Sequence, residues 1–371
     1  MKEPKIRFKG FRGEWEEKAL GCCVAFWDSM RQPIEEVKRI KGIYPYYGAS
    51  GVVDYINDYI FDEELILLSE DGANITDRNY PVCFIARGKY WVNNHAHVLK
   101  ANKGFDNVFL CNNLERKDYT QYNTGMAMPK LNKEVCIRIP VLYPTLPEQQ
   151  SIASYFQHLD SLIQSTTKKI ESLKQVKAAS LQSMFPQEGE TTPRVRFKGF
   201  EGEWEETTIG KVTSVKRGVR VTRKNLRDHG LYPVYQNTDY PMGYYNRYNV
   251  ESNNPFVIIG GSAGLIGFCD KDFWAADDCA YFSDSVKLDK SYLYSMLLNK
   301  SSEIKKNVRG SSVPRLDRQV INDLNIILPS ITEQRAIASY FTNLDRQITL
   351  QTQRLEKLKQ IKSACLDKMF V

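Results

Sequence analysis

The sequence predicts an α+β protein: two mostly-β globular domains joined by two long antiparallel coiled-coil helices with pseudo-two-fold symmetry. Three observations carry that prediction. Two blocks of sequence each occur twice, in the same order, within 371 residues. Each copy ends in a stretch whose apolar residues recur at alternating steps of three and four. The remainder of each copy consists of short apolar runs cut by Gly, Asn and Asp. Composition is that of a globular chain, with 42% apolar and 26% charged residues. This excludes disorder, collagen and a bare coiled coil, and the length suits roughly two domains.

The first block, residues 4–17, returns as residues 193–206 and shares Arg-Phe-Lys-Gly-Phe-x-Gly-Glu-Trp-Glu-Glu. The second, residues 148–185, returns as 333–370. The expected order is a globular domain over 1–145, a spacer helix over 146–189, a second globular domain over 190–330 and a second helix over 331–371.

The helices are read from periodicity. Ile152, Phe156, Leu159, Ile163, Ile170, Leu173 and Met184 form one stripe; Ile337, Phe341, Leu344, Ile348, Leu355, Leu358 and Met369 form its equivalent. Pro147 and Thr332 open the two helices, an early Glu suits each N-terminus, and Lys174, Lys177, Lys359 and Lys362 crowd the C-terminal halves. Each would run about 38 residues, roughly 57 Å. One such helix alone leaves its stripe in water, so the two are expected to cover each other. A whole globular region separates them, which favours antiparallel pairing with the globular regions at opposite ends. Thr166 with Gln351, and Lys177 with Lys362, interrupt the stripes at matching positions and would fix register.

The globular regions match in patches only. Residues 42–47 (Gly-Ile-Tyr-Pro-Tyr-Tyr) answer 230–235, Ile66 to Leu68 with Gly72 answers Val257 to Ile259 with Gly264, and 125–131 (Gly-Met-Ala-Met-Pro-Lys-Leu) answers 310–316. A shared framework with divergent loops suggests two versions of one reader.

Catalytic signatures are missing. The glycine run 260–267 has no Gly-Lys-Ser/Thr after it and reads as a turn. Asn253-Asn-Pro-Phe256 lacks the second proline of an amino-methyltransferase motif. Eight cysteines form no C-x-x-C and read as reduced, mostly buried side chains, and His95-x-His97 has no evident partner ligands for a metal. No apolar signal core or membrane-length window is found, so the chain reads as cytoplasmic.

What remains suits nucleic acid. Net charge is +7. Lys211, Lys216, Arg217, Arg220, Arg223, Lys224 and Arg227 fall in one acid-free segment fit to neutralise phosphates. Tyr235-Gln-Asn-Thr238 offers groups that bond base edges, and 309–315 combines donors with a close-approach glycine. Residues 54–71 carry seven acids and no base, and should face away from a phosphate backbone.

These patterns resemble the specificity subunits of Type I restriction-modification systems. The resemblance rests on Glu-Gln-x-x-Ile-Ala-x-Tyr-Phe-x-x-Leu-Asp, following Pro144 and again Pro329, and on the repeated Gly-x-Tyr-Pro and Gly-x-x-x-Pro-x-Leu patches. It implies a non-catalytic chain with two target-recognition domains, each reading half of a bipartite site in double-stranded DNA. The helices would act as a ruler, consistent with docking on successive major grooves about 34–36 Å apart. It also implies two modification subunits that bring S-adenosylmethionine, and restriction subunits joined through that complex. By position, the resemblance places DNA contacts at Tyr47, Gly48, Ala49, Ser50, Asn123, Thr124 and Lys130 in the first half. In the second they fall at Tyr235, Gln236, Asn237, Thr238, Arg309, Ser311, Ser312 and Arg315. Arg217, Arg220, Arg223 and Lys224 join them from the basic segment. Met126-Ala-Met128 replaces Ser-Ser and suggests apolar or shape contacts. The alternatives are a duplicated scaffold that binds proteins and not DNA, and a self-sufficient methyltransferase.

Overall fold

The computed structural model describes residues 2–187 and 189–371. It divides into two compact units, Met1–Thr167 with Arg354–Val371, and Lys168–Gln353. The long helices are Leu146–Ser183 and Ile331–Met369, of 38 and 39 residues. Each therefore begins in one unit and ends in the other.

Within the first unit, Glu16–Ala19 pairs antiparallel with Pro140–Tyr143. A four-stranded sheet runs in the order Val24–Phe26, Ala96–Ala101, Leu65–Ser69, Cys83–Ala86. A second sheet runs Gly51–Ile56, Lys41–Gly48, Lys89–Val92, Phe61–Asp62. Leu65–Ser69 is buried along its whole length, as expected of a continuous apolar run in the middle of a covered sheet. Asn107–Glu115 packs on this sheet, and its N-terminus is closed by Asp106, which accepts from the Phe109 amide at 2.9 Å.

The second unit repeats the plan. Glu205–Thr208 pairs with Asn325–Leu328; the four-stranded sheet runs Val215–Arg217, Cys279–Phe282, Asn254–Ile258, Ile266–Cys269. Lys290–Asn299 is capped by Asp289, which accepts from Tyr292 at 3.0 Å. In both units one strand pairing is parallel, Lys41–Gly48 with Lys89–Val92 and Tyr232–Tyr235 with Trp274–Ala275.

Each unit contains one antiparallel crossing of the two helices. In the first, Ile152, Phe156 and Leu159 share a core with Met369 and Phe370, flanked by Leu358, Cys365 and Leu366. In the second, Ile337, Phe341 and Leu344 share a core with Met184 and Phe185, flanked by Leu173 and Leu181. Ile170 is buried, while Ile163, Ile348 and Leu355 are half-buried. Thr166 is buried and Gln351 half-buried. The interrupting lysines are bonded across the helix pair: Lys177 reaches Asp345 and Lys362 reaches Asp160, each at 2.5 Å. These are equivalent residues of the repeat, so the same contact is made once in each unit.

The repeated blocks explain one another. Arg7 forms a two-pronged ion pair with Glu148, at 2.7 and 2.8 Å, and donates to the Gly13 and Arg12 carbonyls. Arg196 does the same to Glu333, Gly202 and Glu201. Gln149 and Gln334, one residue on, clamp the Pro144 and Pro329 carbonyls at 2.9 and 3.0 Å. Trp15 packs edge-on to Phe109 and Phe370; Trp204 does so to Phe185 and Tyr292. The shared motif is thus the fastening between a domain's N-terminus and its helix start.

One sequence match is displaced. The Leu131 amide donates to Glu70 and the Leu316 amide to Ile259; the Gly72 amide donates to Pro129 and the Gly261 amide to Pro314. Gly72 therefore corresponds to Gly261, not Gly264, and Ile66 to Leu68 corresponds to Pro255 to Val257. Backbone hydrogen bonds, not apolar similarity, set the register.

Candidate nucleic-acid interface

In the second unit three loops converge. Ser262 N donates to the Asn237 carbonyl at 3.2 Å, Gly261 N to Pro314 at 3.1 Å, and Gly260 forms a β-bridge with Arg315. The 309–315 hairpin is closed by two hydrogen bonds between Arg309 and Arg315, at 2.9 and 2.8 Å. Asn237, Arg309, Ser311, Ser312 and Arg315 are exposed on these loops; Gln236 and Thr238 are half-buried, and the Thr238 hydroxyl bonds the Tyr240 carbonyl. Gly261 has φ +80°, and an added Cβ would lie 2.8 Å from that of Asn237. Gly261→Ala should therefore cost about 1–2 kcal/mol locally and weaken reading by the second unit. Denaturant melting alongside binding to DNA checks this; unchanged binding would contradict it.

The basic side chains of the segment are all exposed, while Thr213, Val215 and Val221 between them are buried. Arg217 ends a strand and donates Nε to the Asp277 carbonyl at 2.7 Å; Arg220, Arg223 and Lys224 are exposed. Arg217 and Arg315 line one recess of about 310 Å³ together with Arg318. Lys224 lines another, about 380 Å³, with Arg227 and Arg247. Neither recess includes Arg220 or Arg223.

Two expected contact residues are not at the surface. Tyr235 is 7% exposed, its ring 4.5 Å from that of Phe256, and burial pushes its hydroxyl pKa well up. Gly48 is buried at the end of a strand. Tyr235 ends a strand whose last three residues are all buried, and Gly48 is covered by Val53 and Asn93, so both hold the loop that follows. Tyr47 is half-buried, stacked on Phe84; Ala49 is half-buried and Ser50 exposed in the turn.

In the first unit the same framework carries different side chains. The Asn123 carboxamide oxygen accepts from the Gly125 and Lys130 amides, both at 2.9 Å, and the Thr124 amide and hydroxyl both donate to the Lys130 carbonyl. These two residues thus close their own loop and leave Met126 and Met128 fully or largely exposed at its tip. At the end of the acidic stretch Glu70 lies 3.5 Å from Lys130 and 2.7 Å from Arg31, and the Asp71 backbone forms a β-bridge with Lys130. The Glu70 carboxylate is thus held between two cations, and the Asp71 carboxylate lies 2.8 Å from His95 Nδ1.

His97 anchors this loop from behind. Its Nδ1 donates to Asp28 at 2.8 Å and its Nε2 to the Leu131 carbonyl at 2.7 Å. Burial opposes its charge, but the hydrogen bond to Asp28 and the charge of that carboxylate outweigh it and push the pKa up to about 10; Asp28 is correspondingly lowered. Folding thus takes up a proton here. The stabilisation is complete below about pH 6.5 and is lost as pH rises through about 10. Denaturant melts between pH 6 and 10.5 should show this decline in the native protein and not in His97→Gln; parallel profiles would contradict it.

Reading by sequence missed Ser262, Arg318, Arg247 and the loop at Gly260. The signal was the duplicated glycine, Gly72 and Gly261, concealed by the displaced match. Cys22 is exposed and Cys365 half-buried, and the other six cysteines are buried and free. No cluster of metal-ligating residues occurs among the described residues, and no described helix is long and apolar enough to cross a membrane.

Two copies of one loop framework, each with its own exposed side chains, define a duplicated protein with one candidate interface in each unit. The family described as the Type I restriction modification DNA specificity domain matches residues 13–175 and again 201–360, and the chain belongs to it. A Haemophilus influenzae protein named as a type I restriction enzyme specificity subunit is 24% identical over 362 residues, covering 92% of this chain and 90% of that one. The MjaVIII specificity subunit of Methanocaldococcus jannaschii is 21% identical over 395 residues, covering 95% and 91%. The fold matches the S subunit of a Type-I restriction-modification system from M. genitalium, with TM-score 0.81 at 15% identity, over 100% of this chain and 99% of that one.

Proposed function

We propose that the chain selects a bipartite DNA site for a Type I restriction-modification complex, each unit reading one half-site. The observation that carries this is the doubled framework: Gly72 to Pro129 and Gly261 to Pro314 make the same hydrogen bond, yet the loops they hold expose Met126 and Met128 in one unit and Ser311 and Ser312 in the other. The hydrogen-bonded frame is kept while the side chains that it displays differ, as two readers of different targets require. In this reading the chain is non-catalytic and works in the cytoplasm. Two modification subunits dock on it and carry S-adenosylmethionine, and restriction subunits join through them.

The helix pair would set the unspecified gap, since each helix starts beside one reader and ends beside the other. Inserting four residues in one helix adds about 6 Å of rise and should change the accepted gap or abolish activity while both half-site identities persist. The methylated motif found in cells expressing the variant decides this; a change in the bases read would contradict the ruler.

A further inference from the structure

Three loops of the first unit meet around one exposed imidazole. The Asn93 amide donates to the Tyr47 carbonyl at 3.0 Å, just before the turn at Ala49; the Glu70 amide donates to the His95 carbonyl at 2.9 Å; and Asp71 bridges Lys130. His95 thus stands where the 48–50, 70–74 and 123–131 loops converge. Its side chain is 50% exposed, and Nδ1 lies 2.8 and 3.0 Å from the two oxygens of Asp71. Nε2 has no partner among the described residues. His97, two residues on, is buried with both ring nitrogens occupied. Of the two histidines, one locks the loop and the other is presented by it.

We propose that His95 reads a base of the first half-site and that Asp71 is the positioning residue that aims it, a proposal that rests on the DNA-specificity reading above. With the proton on Nδ1 directed at Asp71, the neutral ring offers Nε2 as an acceptor. Its complement in the major groove is an exocyclic amino group, adenine N6 or cytosine N4. The second unit supports a reading role for this place in the fold. There the Ile259 amide donates to Asp278 as the Glu70 amide does to His95, so Asp278 is the equivalent residue. Its carboxylate faces the Arg315 guanidinium at 3.7 Å. One unit thus presents an acceptor where the other braces a donor, which is how two copies of one framework come to select different bases.

The test is the methylated motif in cells expressing this chain with its partner methyltransferase, for the native protein, His95→Ala, Asp71→Asn and, as a control, Arg315→Ala. His95→Ala is expected to relax one or two positions of a single half-site, with discrimination there falling roughly 2- to 10-fold, as for the loss of one hydrogen bond. The other half-site and the gap should stay unchanged, and Asp71→Asn should loosen the same position to a smaller degree. Arg315→Ala should relax the opposite half-site. An unchanged motif in a His95→Ala protein that melts like the native one overturns the proposal. So does an equal loss of affinity for cognate and unrelated duplexes, the mark of a phosphate contact. A native protein that yields no split motif overturns the specificity reading itself.

Discussion

Arg196→Ala is expected to destabilise its unit by about 3–5 kcal/mol, among the largest effects of any single substitution outside the apolar cores. Glu333, its partner, is buried to 1% exposure. Removing the guanidinium therefore leaves a carboxylate in a dry setting without its two-pronged partner, and the Gly202 and Glu201 carbonyls lose a donor. The cost arises mainly from that stranded charge, so the double variant Arg196→Met/Glu333→Gln should recover part of the loss. Arg7→Ala should behave alike in the first unit, where Glu148 is equally buried. Chemical denaturation of the single and double variants measures both. A single variant within about 0.5 kcal/mol of the native protein would show that the pair contributes no such fastening.

Replacing Arg217, Arg220 and Arg223 by Gln should lower DNA affinity roughly 500-fold at 0.1 M salt, since each lost phosphate contact removes about 0.9 from the salt slope. The slope of log K against log salt should become shallower by about 2.7. All three side chains are exposed and Arg217 has only a carbonyl as partner, so melting should change little. Titration of labelled duplex at several salt concentrations checks both numbers. Unchanged affinity would favour a scaffold that binds proteins.

How much of this was legible in the sequence depends on the kind of residue. The helix pair was, because Phe156, Phe341 and their neighbours repeat at helical spacing whatever they touch. The direction of pairing followed from connectivity, and the tertiary contacts agree: Phe370 meets Phe156, and Phe185 meets Phe341. The partners of the early Glu residues were not legible, since Arg7 and Glu148 are 141 positions apart and periodicity does not connect them. Loop sites were legible only as segments. Tyr235 lies in the expected segment but faces inward, a matter of strand register; Asn123 and Thr124 bond their own loop, and no local pattern separates that from bonding a ligand. His95 was visible as half of a His-x-His pair. Only the fold shows that His97 is enclosed and His95 is not.

In the proposed function this chain dictates where a partner methylates DNA. Single-molecule sequencing of DNA from cells carrying the chain with its partner methyltransferase, beside cells carrying the methyltransferase alone, tests it most directly. The expected result is a split motif, two short half-sites around a fixed gap, methylated only when the chain is present. Identical methylation in both cultures, with the methyltransferase expressed and active, would contradict it.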